Sequence, residues 1–189
     1  MSKLFAISSE WIFGCVISAL AYTFLFYLNA WLTNTLVFGL GVNWIYLPAG
    51  LRLFLTLIFG LPGAIGIAIA SFLISYYGDF PHDLTLCIGV GLISGFAPYL
   101  ARFFVFSNLR LESDLSNLNL PKLIACILIY ATLSAGLHQL WFSAMALENT
   151  GTVNHFVVMF IGDVLGSLLL ISLTKYCLDL LRKTRQIAH

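Results

Sequence analysis

Charge is what this sequence has least of. Only 9% of its 189 residues are Asp, Glu, Lys or Arg, where a soluble domain carries about 25%. Hydrophobic residues make up 60%, and the mean hydropathy is +0.97. This excludes an ordinary water-soluble enzyme, whose surface would aggregate if it were this apolar. It also excludes disorder, which needs low hydrophobicity and high charge. Paired cysteines are missing too. Cys15, Cys87, Cys126 and Cys177 lie far apart in apolar stretches, with no C-x-x-C and no metal-ligand spacing, and read as small buried hydrophobes. No G-x-S-x-G, P-loop, H-E-x-x-H or G-x-G-x-x-G occurs. No nucleophile, base and orienting group stand together, so the expectation is a protein that is not an enzyme and uses no cofactor or metal. The one basic cluster, Arg182, Lys183 and Arg185, is too short for nucleic acid and suits an anionic membrane leaflet.

What remains is a single integral membrane domain over residues 1–189. The expected fold class is an all-α polytopic bundle of about six spanning helices. Apolar segments at about 11–32, 36–59, 64–77, 84–106, 122–145 and 153–173 supply them, the last running on as a polar-faced tail. The first is too long for a signal-peptide core and is expected to be retained. Pro48-Ala49-Gly50 breaks the second helix, and Gly60-Leu61-Pro62-Gly63 turns the chain into the third. Pro98 is expected to kink the fourth, and Pro121 opens the fifth. Trp11, Trp31, Trp44, Tyr76, Tyr77 and Trp141 fall at the segment ends, as interfacial anchors do.

Charge placement sets the expected orientation. With six crossings, Lys3, Arg102, Arg110, Lys122, Lys175, Arg182, Lys183 and Arg185 share the side of both termini. The opposite turns carry Asp79, Asp83 and Glu148 and no Lys or Arg. Both termini are therefore expected in the cytoplasm. Asp79, His82 and Asp83, with Glu148 and His155 further off, read as solvated acidic turns rather than a metal site.

Two charges sit inside apolar segments. Asp163 lies ~15 Å from the edge of its segment and Arg52 ~24 Å from the edge of its own. Arg52 either reaches Asp163 or extends to the headgroups. Aspartate is too short to do so and needs a partner, a proton or water. His138 and Gln139 add polar groups in the fifth helix. The break at Pro48 frees backbone groups that only protein or water can satisfy in lipid. Broken helices also build binding sites in transporters. The candidate ligand-binding residues are thus Arg52, Asp163, Asn43, Trp44, Tyr46 and His138, beside the bland reading of a packing kink and a structural ion pair. Gly60, Gly63 and Gly66, Gly89, Gly91 and Gly95, and the Gly162/Gly166 pair suit close helix packing, with a homo-oligomer interface as the lesser reading.

The run Trp44-Ile45-Tyr46-Leu47-Pro48-Ala49-Gly50-Leu51-Arg52, an apolar stretch to Gly60 and the Pro62-Gly63 turn resemble the MASE1 membrane sensory domain of bacteria. Gly162-Asp163-Val164-Leu165-Gly166 resembles that family's late Gly-Asp-x-x-Gly segment. The resemblance covers about residues 36–75 and 155–175, and Trp44 stands four residues before Pro48 where the family pairs Trp with Pro. It implies a module that senses or binds a small ligand. The family's usual cytoplasmic output domain has no counterpart in this sequence, so a partner protein is expected to carry the signal. Two other readings stand beside it: a substrate-binding subunit of a small-molecule uptake transporter, and an assembly subunit of a membrane complex.

Overall fold

A computed structural model describes residues 2–78, 80–108, 112 and 117–187. Six helices follow in order: α1 (Ser2–Leu32), α2 (Leu47–Phe59), α3 (Leu61–Tyr77), α4 (Leu84–Asn108), α5 (Leu120–Ala144) and α6 (Val153–Ile187). Four of them, α1, α4, α5 and α6, are long and apolar enough to cross a membrane. The protein is thus a helical bundle with the character of an integral membrane protein. Its surface supports this directly. Phe24, Trp31, Phe103 and Leu140 point outward, whereas Arg52, Asp163, His138 and six serines are buried. Apolar outside and polar inside is the arrangement lipid favours, because lipid offers polar groups no hydrogen bonds.

The two remaining helices are short. At 1.5 Å per residue, α2 spans ~20 Å and α3 ~26 Å, against a hydrocarbon thickness of about 30 Å. Here the structure corrects the sequence reading. A second helix from about Leu36, broken at Pro48–Gly50, is absent. Helix α2 begins at Leu47, with Pro48 in its first turn. Proline lacks an N–H, and the first turn is the one place where a helix does not need it. Residues 34–43 form instead a 3-10 turn, Asn34–Leu36, and two short strands, β1 (Val37–Gly39) and β2 (Val42–Asn43). The strands pair antiparallel, with Val37 opposite Asn43 and Gly39 opposite Val42. Gly41, at φ 70°, makes their turn.

Phe59 and Ala64 lie in different helices, as the Pro-Gly cluster predicts, but the joint is Gly60 rather than Pro62. Gly60 has φ 62°, which a side chain would strain, and its N–H donates to the Thr56 carbonyl. Pro62 falls within the first turn of α3. Pro98 lies inside α4. Asn119 caps α5 by accepting the Lys122 N–H at 3.1 Å.

α3 packs between α1 and α4, α2 lies on α6, and α5 bridges α4 and α6. Gly66 and Gly95 let α3 approach its two neighbours, since a Cβ at either would strike the carbonyl of Cys15 or Ala64. The shared core of α2, α4 and α5 is Leu53, Leu57, Ala101, Val105, Ile127 and Tyr130. The ends of α1, α3 and α5 and the starts of α4 and α6 gather with the strands at one end of the bundle, the hairpin end. Most of the expected anchors are exposed, Trp31 and Tyr77 most of all. Trp141 is turned inward, where its indole N–H donates to the Leu86 carbonyl at 3.1 Å.

Candidate functional site

The site begins with the descent of the hairpin between the helices. Asn43 and Tyr46 lay their carbonyls directly on Gly162 and Gly166 of α6, where any side chain would collide. The Tyr46 N–H donates to the Gly162 carbonyl at 3.1 Å. Backbone thus packs on backbone. The Gly-x-x-x-Gly pair is used here for this loop rather than for a second helix.

Asn29 of α1 and Thr33 just beyond its end pair with polar groups of the loop. Asn29 accepts the Leu47 N–H at 2.9 Å and donates to the Thr33 hydroxyl oxygen at 3.1 Å. Asn43 donates to that same oxygen at 2.8 Å, and the Thr33 hydroxyl donates in turn to the Asn29 carbonyl. Irregular backbone inside a bundle needs such partners.

The low start of α2 brings Arg52 to Asp163. Gly50 of α2 packs on Ser167 of α6, one turn beyond Asp163, so the long Arg52 side chain reaches the Asp163 carboxylate. Its Nη2 lies 3.7 Å from Asp163 Oδ1, and both side chains are almost fully enclosed. The distance gives attraction without a hydrogen bond. Three tyrosines surround the guanidinium, with ring centres at 5.1 Å (Tyr46), 5.8 Å (Tyr130) and 6.0 Å (Tyr22). Their faces stabilise a cation without consuming its N–H donors. The Tyr22 and Tyr46 hydroxyls are 3.1 Å apart. Yet Arg52 Nε and Nη2, both Asp163 oxygens, Tyr130 Oη and Ser134 Oγ have no hydrogen-bond partner. A buried polar atom left unpaired costs about 1–3 kcal/mol, more if charged. Six such atoms lie together around the Arg52–Asp163 pair.

A cavity of about 510 Å³ adjoins this pair. It runs from Arg52 up to the hairpin end, where Asn34, Gly41 and Gly78 form part of its wall. That size is usual for a small-molecule site. Arg52, Asn43, Tyr46 and His138 all line it. Asp163 does not; it stands behind Arg52. Trp44 also lies off the cavity, half exposed against the Phe38 ring at 5.9 Å. His138 Nδ1 meets the Ser134 carbonyl at 2.8 Å, so that nitrogen carries the proton. Nε2 faces the Ser94 hydroxyl at 3.4 Å, and Ser71 donates to Ser94 at 2.8 Å. A directed chain of hydrogen bonds thus runs along one wall. Gln139 sits elsewhere, accepting the Gly151 N–H at 3.0 Å.

No protein family, curated protein or solved structure matches the chain. The geometry alone therefore carries the functional reading.

The sequence reading missed Tyr22, Asn29, Thr33, Ser71, Ser94 and Tyr130. Asn29 alone left a signal, as an amide within an apolar run. The acidic turn behaves as ordinary capping: Asp83 accepts the Leu86 N–H at 3.0 Å, and His82 meets the edge of Tyr76. Asp79, Arg110 and Asp114 lie outside the described residues. His155 pairs with the Thr152 hydroxyl at 2.7 Å. Among the described residues no group of three or more His, Cys, Asp or Glu is placed to hold a metal.

Proposed function

We propose that the protein is a MASE1-like, non-enzymatic membrane module that binds a small ligand in its central cavity and acts through a partner protein. The observation that carries this reading is the cavity of about 510 Å³ ending on buried Arg52, whose Nε and Nη2 lack hydrogen-bond partners. A purely structural ion pair would close on itself by hydrogen bonds. Here Nε and Nη2 are enclosed without a hydrogen-bond partner, at the foot of the cavity.

The proposed topology has six crossings, α2 and α3 completing the four long helices. Helix α2 crosses with the help of the hairpin above it. The bias of Lys and Arg toward the end opposite the hairpin supports cytoplasmic termini in a bacterial inner membrane. The proposed docking element for the partner is the far end of α6. This helix is ~52 Å long, well beyond the hydrocarbon thickness. Its last turns expose Leu173, Tyr176, Leu180 and Leu181 among basic residues.

The test is direct. The protein is extracted into lipid nanodiscs, washed, and denatured, and the released small molecules are identified by mass spectrometry. A compound recovered near one per protein, and lost when Ser75→Trp fills the cavity, is the expected result. Recovery of membrane lipid alone, equal in both proteins, would refute ligand binding and leave an assembly role. Co-purification of an ATPase would assign the same cavity to an uptake transporter.

A further inference from the structure

We propose that the cavity takes a small amphipathic carboxylate, with its anionic group on Arg52 and its apolar body toward the hairpin end. This rests on the ligand-binding reading and names the ligand's class.

The charge of the cavity wall is one-sided. Among the described residues that line it, Arg52 is the only Lys, Arg, Asp or Glu. Asp163 holds the guanidinium from behind, yet at 3.7 Å it takes none of its hydrogen bonds. The tyrosine faces consume no N–H donor either, and Nε and Nη2 stay enclosed without a hydrogen-bond partner. A guanidinium binds a carboxylate through charge-assisted hydrogen bonds, which are about twice as strong as neutral ones. A further donor stands beside it. When one hydroxyl of the Tyr22–Tyr46 pair donates to the other, the accepting hydroxyl keeps its own proton free for a ligand oxygen. A cationic ligand would find no counter-charge on this wall. A neutral one would leave the guanidinium unsatisfied.

The rest of the wall selects the body. Phe26, Ile74, Val90, Phe142 and Met159 give apolar contact. The Ser71–Ser94–His138 chain is already internally paired and makes few demands. An aromatic or short aliphatic carboxylate meets both halves, whereas inorganic phosphate meets only the first.

The experiment uses three probes of one shape: 3-phenylpropionate, 3-phenylpropionamide and 3-phenylpropylamine. Each is titrated onto the full chain in nanodiscs and followed by calorimetry and saturation-transfer NMR. The carboxylate is expected to bind at least tenfold more tightly than the amide, with the amine weakest. Arg52→Gln/Asp163→Asn, which leaves no lone charge, is expected to erase the tenfold preference while the amide still binds. Asp163→Asn alone is expected to keep or raise it, because the counter-ion is lost and the donor stays. The carboxylate class is overturned, and the cavity reading survives, if the amide or amine binds as well as the carboxylate. The class is likewise overturned if the double variant keeps the preference or Asp163→Asn loses it. Binding of none of the three to the wild-type protein overturns both.

Discussion

Replacing one member of the Arg52–Asp163 pair strands a charge inside the bundle. At 3.7 Å the two attract by ~4.5 kcal/mol for an effective dielectric of about 20. The ends are not equivalent. With Asp163 replaced, Arg52 keeps three tyrosine faces, each cation–π contact worth about 0.5–2 kcal/mol. With Arg52 replaced, Asp163 keeps no hydrogen bond, since neither oxygen has a partner. Arg52→Gln is therefore expected to cost about 4 kcal/mol and Asp163→Asn about 2 kcal/mol. The double variant has no lone charge, so its cost falls about 2–3 kcal/mol short of the sum. Unfolding in mixed micelles with rising dodecyl sulfate, followed by far-ultraviolet circular dichroism, measures all three. Strict additivity would refute the pairing. A larger loss for Asp163→Asn than for Arg52→Gln would refute the role given to the tyrosines.

Gly166→Ala forces a methyl into the Tyr46 carbonyl and is expected to destabilise by about 1–3 kcal/mol. The same micelle unfolding checks it, and an unchanged midpoint would show that the hairpin does not lie on α6. For topology, single cysteines at Pro81 and Thr150 in a cysteine-free background are expected to react with an impermeant maleimide on intact cells. Cysteines at Leu115 and Ile187 are expected to react only after permeabilisation, and labelling of position 187 from outside would invert the orientation.

Composition carries the bundle because lipid acts on composition. A segment long and apolar enough to cross must look so in the sequence, and α1, α4, α5 and α6 do. The hairpin is different. Strands of three and two residues carry no readable periodicity, and Val37 and Phe38 continue the apolar texture of a helix. Pro48 marks a discontinuity in any reading. It cannot say whether a helix is kinked there or begins there, because proline suits both. That ambiguity hid where α2 starts, but it left the contact of Arg52 with Asp163 within reach. The wall of the cavity was hidden for another reason. A serine in an apolar helix usually bonds its own backbone, as Ser167 does with the Asp163 carbonyl at 2.7 Å, so Ser71 and Ser94 look no different in sequence.

The seat of the hairpin on Gly162 and Gly166 has a consequence for how freely the sequence can drift. Carbonyl oxygen against Cα is a contact without side chains on the loop's side. The side chains of Trp44 and Ile45 take no part in that contact, so substituting them leaves this seat unchanged. The two helix positions beneath them admit no other residue without moving the loop. Tolerance here runs opposite to the usual pattern, in which helices accept change at a glycine and loops conserve it. A deep substitution scan would draw the footprint of the hairpin on α6 as two immutable points four residues apart.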